Sequence, residues 1–168
     1  MCLEGFRNLL NGAGALTAES ILARIKATVS RQSPRCAVLT CSDSRLSPEL
    51  LTLSNIGGMF VVRIAGNVVT DAVYDSLKFA VEKLGVKKIY VIGHKRCGAV
   101  ELAFKGEAPP SLAAQLNEAV KRAGGDLRKA EVENVKIACE KLRELGAEVE
   151  GYYYDLDGPA LIPVCKSP

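Results

Sequence analysis

The 168-residue sequence predicts an α/β fold, a mostly parallel sheet of four to five strands flanked by helices. Two observations carry this. Short apolar runs alternate with segments of helical periodicity in the order strand–helix–strand–helix–strand–helix–helix–strand. The strand runs are almost continuously apolar, as in strands covered on both faces. The length suits one domain spanning 1–168.

Residues 17–30 set Ile21, Ile25 and Val29 four apart with Leu22 beside them, an amphipathic helix that Thr17 can cap. Pro34 breaks the chain before the first strand, residues 36–40. Ser47-Pro48 reads as N-cap and first position of a short helix. Gly57-Gly58 closes that section, and 59–64 is a second strand rich in β-branched residues. Ala65-Gly66-Asn67 is a tight turn. Asp71 is placed to cap a helix through Leu84, whose stripe is Val73, Leu77, Ala80, Val81 and Leu84, with Gly85 as its stop.

Residues 88–93 form the third strand. A helix starts near Cys97 and fades before Gly106. Pro109-Pro110 marks a loop, and Ser111 can cap a helix to about Ala123. Beyond Gly124-Gly125, residues 127–145 form a long helix with Val135, Ala138, Leu142 and Leu145 on one face. A fourth strand covers 148–154, Asp157-Gly158 is a turn, and 160–164 is a short fifth strand.

The net charge of +3 is small and the basic residues are scattered, which argues against nucleic acid. No apolar run is long enough to span a bilayer, and the first fifteen residues lack a secretory pattern. A reducing cytoplasm is therefore expected. In that setting Cys2, Cys36, Cys139 and Cys165 read as small buried hydrophobes and not as a disulfide framework.

The chemistry concentrates in Cys41-Ser42-Asp43-Ser44-Arg45 and Gly93-His94-Lys95-Arg96-Cys97-Gly98, each directly after a strand. In a sheet of this kind, sites form beyond the carboxyl ends of strands where strand order reverses. His94 is the only histidine. With Cys41 and Cys97 it makes a donor set that favours Zn²⁺ and leaves a fourth position open. Asp43 has two readings: it closes the cage as a fourth ligand, or it pairs with Arg45 and leaves the position to water.

Taken in order, Cys41-Ser-Asp-Ser-Arg45, Phe60-Val-Val-Arg-Ile-Ala-Gly-Asn67, Ser76-Leu-Lys-Phe-Ala-Val81, Gly93-His-x-x-Cys-Gly98 and, more loosely, Gly151-Tyr-Tyr-Tyr-Asp155 resemble the β-class carbonic anhydrases, in their compact branch. The resemblance implies one zinc per subunit on Cys41, His94 and Cys97. It implies Asp43 and Arg45 as a catalytic pair and Gly66 on the substrate approach. The implied reaction is hydration of CO₂ to bicarbonate by attack of zinc-bound hydroxide. The implied assembly is a homodimer or larger, with residues 1–33 as an arm on the partner subunit.

The sequence departs from the family at Gly58 (often acidic) and Ile64 (often asparagine), and Lys95 and Arg96 place positive charge between His94 and Cys97. Other readings stay open: hydrolysis of carbonyl sulfide or carbon disulfide in the same cage, a non-catalytic zinc-stabilised dimer, or a redox pair of Cys41 and Cys97.

Overall fold

The computed structural model describes residues 2, 3, 5, 6 and 16–166. Strands β1 (Cys36–Thr40), β2 (Met59–Arg63), β3 (Lys88–His94), β4 (Glu148–Asp155) and β5 (Ala160–Cys165) form one sheet in the order β2-β1-β3-β4-β5. Pairing is parallel from β2 to β4, while β5 returns antiparallel beside β4. The strand order reverses between β1 and β3. Their carboxyl ends carry Cys41 and His94.

The helices are α1 (Ala18–Thr28), α2 (Pro48–Leu51), α3 (Asp71–Glu82), α4 (Gly98–Phe104), α5 (Pro110–Ala123) and α6 (Leu127–Leu142), with 3₁₀ turns at Ala65–Asn67 and Arg143–Leu145. Thr17 caps α1 as expected, in a reciprocal pair with Ser20. Two expected caps move. Thr70, whose hydroxyl accepts from the Val73 amide, caps α3, and Asp71 falls in the first turn. Pro110 opens α5 instead of preceding it, because a first-turn residue needs no amide hydrogen and proline presets its φ.

Alternate residues of β1 and β3 feed separate cores. Cys36, Val38, Tyr90 and Ile92 pack with Val100, Leu112 and Leu116 of α4 and α5. Ala37, Leu39, Ile89 and Val91 pack with Val73 and Leu77 of α3 and with Val135, Ala138 and Leu142 of α6. Burial on both faces explains the continuous apolar runs. Helix α1 joins neither core, and Leu22, Ile25 and Val29 are 56%, 44% and 81% exposed. No helix among the described residues is long and apolar enough to cross a membrane.

The expectation of four unpaired structural cysteines is corrected. Cys2 bonds Cys36, and Cys139 bonds Cys165, leaving Cys41 and Cys97 free. The partners lie 34 and 26 residues apart in sequence and meet only through the fold: Cys36 opens β1, and Cys139 of α6 faces the end of β5.

Helix α6 packs directly onto two glycines of the sheet. A Cβ at Gly93 would fall 2.4 Å from Val135 Cγ2, and one at Gly151 would fall 2.5 and 2.6 Å from the Cys165 and Cys139 sulfurs and 2.8 Å from Val135 Cγ1. Gly93→Ala is expected to lower stability by about 1–3 kcal/mol, the usual cost of overpacking, measured by urea unfolding. Alkylation of unfolded, unreduced, chelator-treated protein is expected to label two of the six cysteines, and all six after reduction. Six labelled before reduction would show that the pairs do not form.

Candidate metal centre

Cys41 continues β1 by one residue, held by ladder bonds from Ile64 N–H to Thr40 O and from Ser42 N–H to Ile64 O, both 3.2 Å. His94 ends β3, and Cys97 caps α4. All three are buried, with Cys41 Sγ 4.0 Å from Cys97 Sγ. Their donor atoms lie within 4.8 Å of one another.

The imidazole is already oriented. His94 Nδ1 lies 2.9 Å from the Lys95 carbonyl, an acceptor that fixes the proton on Nδ1. Nε2 is then a lone-pair donor, and it is buried with no hydrogen-bond partner. A buried acceptor left unpaired is costly. Beside two cysteine sulfurs it fits a bound thiophilic cation.

The thiols share their protons unequally. Cys41 is pulled down to about 4, first by the hydrogen bond from Cys97 and then, against burial, by His94 and the Gly66 amide. Cys97 is pushed up, first as the donor to Cys41 and then by burial. Burial draws His94 down, but the Cys41 thiolate beside it outweighs this and leaves the imidazole raised.

Asp43 rests on Arg45, not among the three donors. Arg45 Nε donates to Oδ1 at 2.9 Å and its terminal nitrogen to Oδ2 at 2.7 Å, with the Arg45 amide adding a bond to Oδ1 at 2.9 Å. These bonds hold the Asp43 carboxyl far below the ordinary carboxylate range. Asp43 Oδ2 lies 3.8 Å from His94 Nε2. Arg45 also donates to the Arg96 carbonyl at 3.1 Å, tying the two motifs together.

Gly66 adopts φ +69°, and a Cβ there would sit 3.1 Å from both Ala99 and Leu116 side chains. Its amide donates to Cys41 Sγ at 3.2 Å, a contact that sequence reading did not anticipate. Lys95 and Arg96 stand between His94 and Cys97 with their charges paired. Lys95 pairs with Asp155 and Asp157, and Arg96 with Asp157 at 2.7 Å, so both charges are answered by the β4–β5 turn.

Sequence reading also missed Arg63, whose guanidinium donates to the backbone oxygens of Cys41 and Asp43 at 3.4 and 2.8 Å. It missed Glu131 too, which accepts from the Cys97 amide at 3.0 Å. The available signal was position: Glu131 and Asn134 fall on the same stripe of α6 as Val135, Ala138 and Leu142.

The carbonic anhydrase family model matches residues 36–150. A carbonic anhydrase of Mycolicibacterium smegmatis is 41% identical over 93 residues, 53% of this chain and 45% of that protein. The matched segment thus spans less than half of that relative. Among solved structures, the Coccomyxa β-carbonic anhydrase in complex with acetazolamide superposes with a TM-score of 0.75 at 21% identity, covering 98% of this chain and 85% of that one. A structure of tetrameric β-carbonic anhydrases from Sordaria macrospora gives 0.73 at 22% identity, covering 96% and 95%.

Cys97 holds a proton that a metal must displace, and acid adds one at His94 Nε2, so acid opposes binding. Uptake of Zn²⁺ or Co²⁺ by metal-free protein near neutral pH is expected to release about one to two protons, with affinity falling as pH falls. Calorimetry in buffers of different ionisation enthalpy measures this. Uptake without proton release would place the ion elsewhere.

Proposed function

This chain belongs to the carbonic anhydrase family, and we propose that it catalyses reversible hydration of CO₂ to bicarbonate and a proton, with one zinc ion per subunit held by Cys41, His94 and Cys97. One observation carries the reading. Three donors converge on a buried point while the nearest carboxylate, Asp43, is already occupied by Arg45. When bound, zinc supplies the Lewis acidity that brings deprotonation of water into the working pH range.

The residues divide the remaining work. Cys41 and Cys97, as thiolates, cancel cationic charge and weaken that acidity, so activity is expected to climb toward alkaline pH. Asp43, kept ionised by Arg45, can only accept hydrogen bonds. It takes a bond from the attacking water and turns an oxygen lone pair toward the carbon of CO₂. Gly66 belongs to the wall of the substrate approach, where its crowded position excludes any side chain. The only histidine is committed to the cage, so the product proton leaves to buffer or through a chain without histidine.

Assembly and location form part of the same proposal. The exposed apolar residues of α1 support its packing on a partner subunit in a homodimer or larger assembly. Of the arm expected over 1–33, Cys2 and Phe6 are buried in this chain's own core, with Cys2 bonded to Cys36, and residues 1, 4 and 7–15 lie outside the described residues. The tetramers from Sordaria offer a parallel. In the cytoplasm the two disulfides would stand against a reducing pool, so the thiol state of freshly isolated protein reports on the compartment.

Stopped-flow CO₂ hydration by zinc-quantified protein is expected to be faster near pH 8.5 than near pH 7, and to rise with buffer concentration. Asp43→Asn is expected to keep zinc and lose about 10²-fold in kcat. Cys41→Ser and His94→Ala are expected to lose the metal. Full zinc loading with no turnover at either pH would overturn the proposal.

A further inference from the structure

We propose that helix α6 is the template that sets both cysteine donors, through Glu131 and Asn134, which lie one turn apart on its inner face. Glu131 reaches one cysteine through that cysteine's backbone amide, and Asn134 reaches the other through Gly66. Glu131 Oε1 accepts from the Cys97 amide at 3.0 Å, and Oε2 accepts from the Tyr153 hydroxyl at 2.7 Å. Asn134 Nδ2 donates to the Gly66 carbonyl at 2.6 Å, and the Gly66 amide donates to Cys41 Sγ at 3.2 Å. Asn134 is itself fixed by Gln115 Nε2, which donates to its Oδ1 at 2.8 Å.

Packing alone does not call for these residues. Glu131 is 4% exposed and Asn134 1% exposed, on a helix face otherwise built from Val135, Ala138 and Leu142. Glu131 forms no ion pair among the described residues; its two carboxylate oxygens are met by one amide and one hydroxyl. Burying such a group is unfavourable beside an apolar side chain of the same size. What it does here is fix where the Cys97 backbone sits. Asn134 holds the carbonyl of Gly66, the residue whose own amide is aimed at the other sulfur.

The glycines of the sheet make this reach possible. Without side chains at Gly93 and Gly151, Val135 settles onto β3 and β4, and Glu131 and Asn134 are carried down to the strand ends. The two residues are positioning residues, acting on the metal through Cys97 and Cys41.

The inference rests on the reading of Cys41, His94 and Cys97 as a zinc cage. Its test is zinc release to a chelator in excess, followed with a colorimetric indicator. Wild-type protein is expected to carry one zinc per chain and release it slowly. Glu131→Ala and Asn134→Ala are expected to release it about 10–100-fold faster. Glu131→Gln keeps an oxygen for the Cys97 amide and is expected to stay close to wild type. Leu142→Ala, buried two turns along the same helix, is expected to lower the unfolding midpoint without speeding release. Near-isosteric Glu131→Met and Asn134→Leu serve where an alanine variant does not fold.

The sulfur-to-metal absorption band of cobalt-loaded protein is expected to shift in the Glu131 and Asn134 alanine variants and not in Leu142→Ala. Release from those two variants no faster than from Leu142→Ala would overturn the template role while leaving the cage intact. A wild-type protein that binds no zinc would overturn the cage reading and this inference together.

Discussion

The architecture hinges on the packing of α6, through Val135 and the Cys139–Cys165 bond, onto Gly93 and Gly151. It sets how closely α6 approaches the sheet, at a distance a single methyl on either glycine would prevent. The same packing lowers Glu131 and Asn134 onto the loops that carry Cys97 and Gly66. Core packing and site geometry are therefore not separate features here. Two strand positions without side chains fix the height of one helix, and that helix reaches the site by side chains of fixed length.

The electrostatics of the site follow from pairing. Arg45 satisfies both oxygens of Asp43 and also donates to the Arg96 carbonyl, so the arginine that holds the carboxylate is itself tied to the loop that separates His94 from Cys97. Arg63 braces the first motif from below through its backbone oxygens. The cations at 95 and 96 are neutralised by Asp155 and Asp157. Among the described residues, what remains unpaired in the centre is His94 Nε2, beside two sulfurs that share protons.

Much of this was legible in the sequence, for local reasons. Continuous apolar runs gave β1 and β3, and the motifs directly after them gave Cys41, His94 and Cys97, because a strand end delivers the next residues to one edge of the sheet. Asp43 and Arg45 are near neighbours, so their pairing was an available reading. Features that depend on distant partners were not legible. The disulfides join residues far apart in the chain, and the acidic turn that answers Lys95 and Arg96 lies about sixty residues downstream. Glu131 was hidden by its chemistry, since a glutamate on a helix is ordinarily solvated. Pro110 misled because the same residue that ends one element opens the next.

The central claim is that Cys41, His94 and Cys97 form a cage whose fourth position is kept open because Arg45 holds Asp43. A crystal structure of the zinc-loaded protein tests it most directly. The account predicts zinc on two sulfurs and His94 Nε2, with the Asp43 carboxylate still on Arg45. Zinc bound by Asp43 as a fourth ligand, or seated away from any of the three donors, would contradict it.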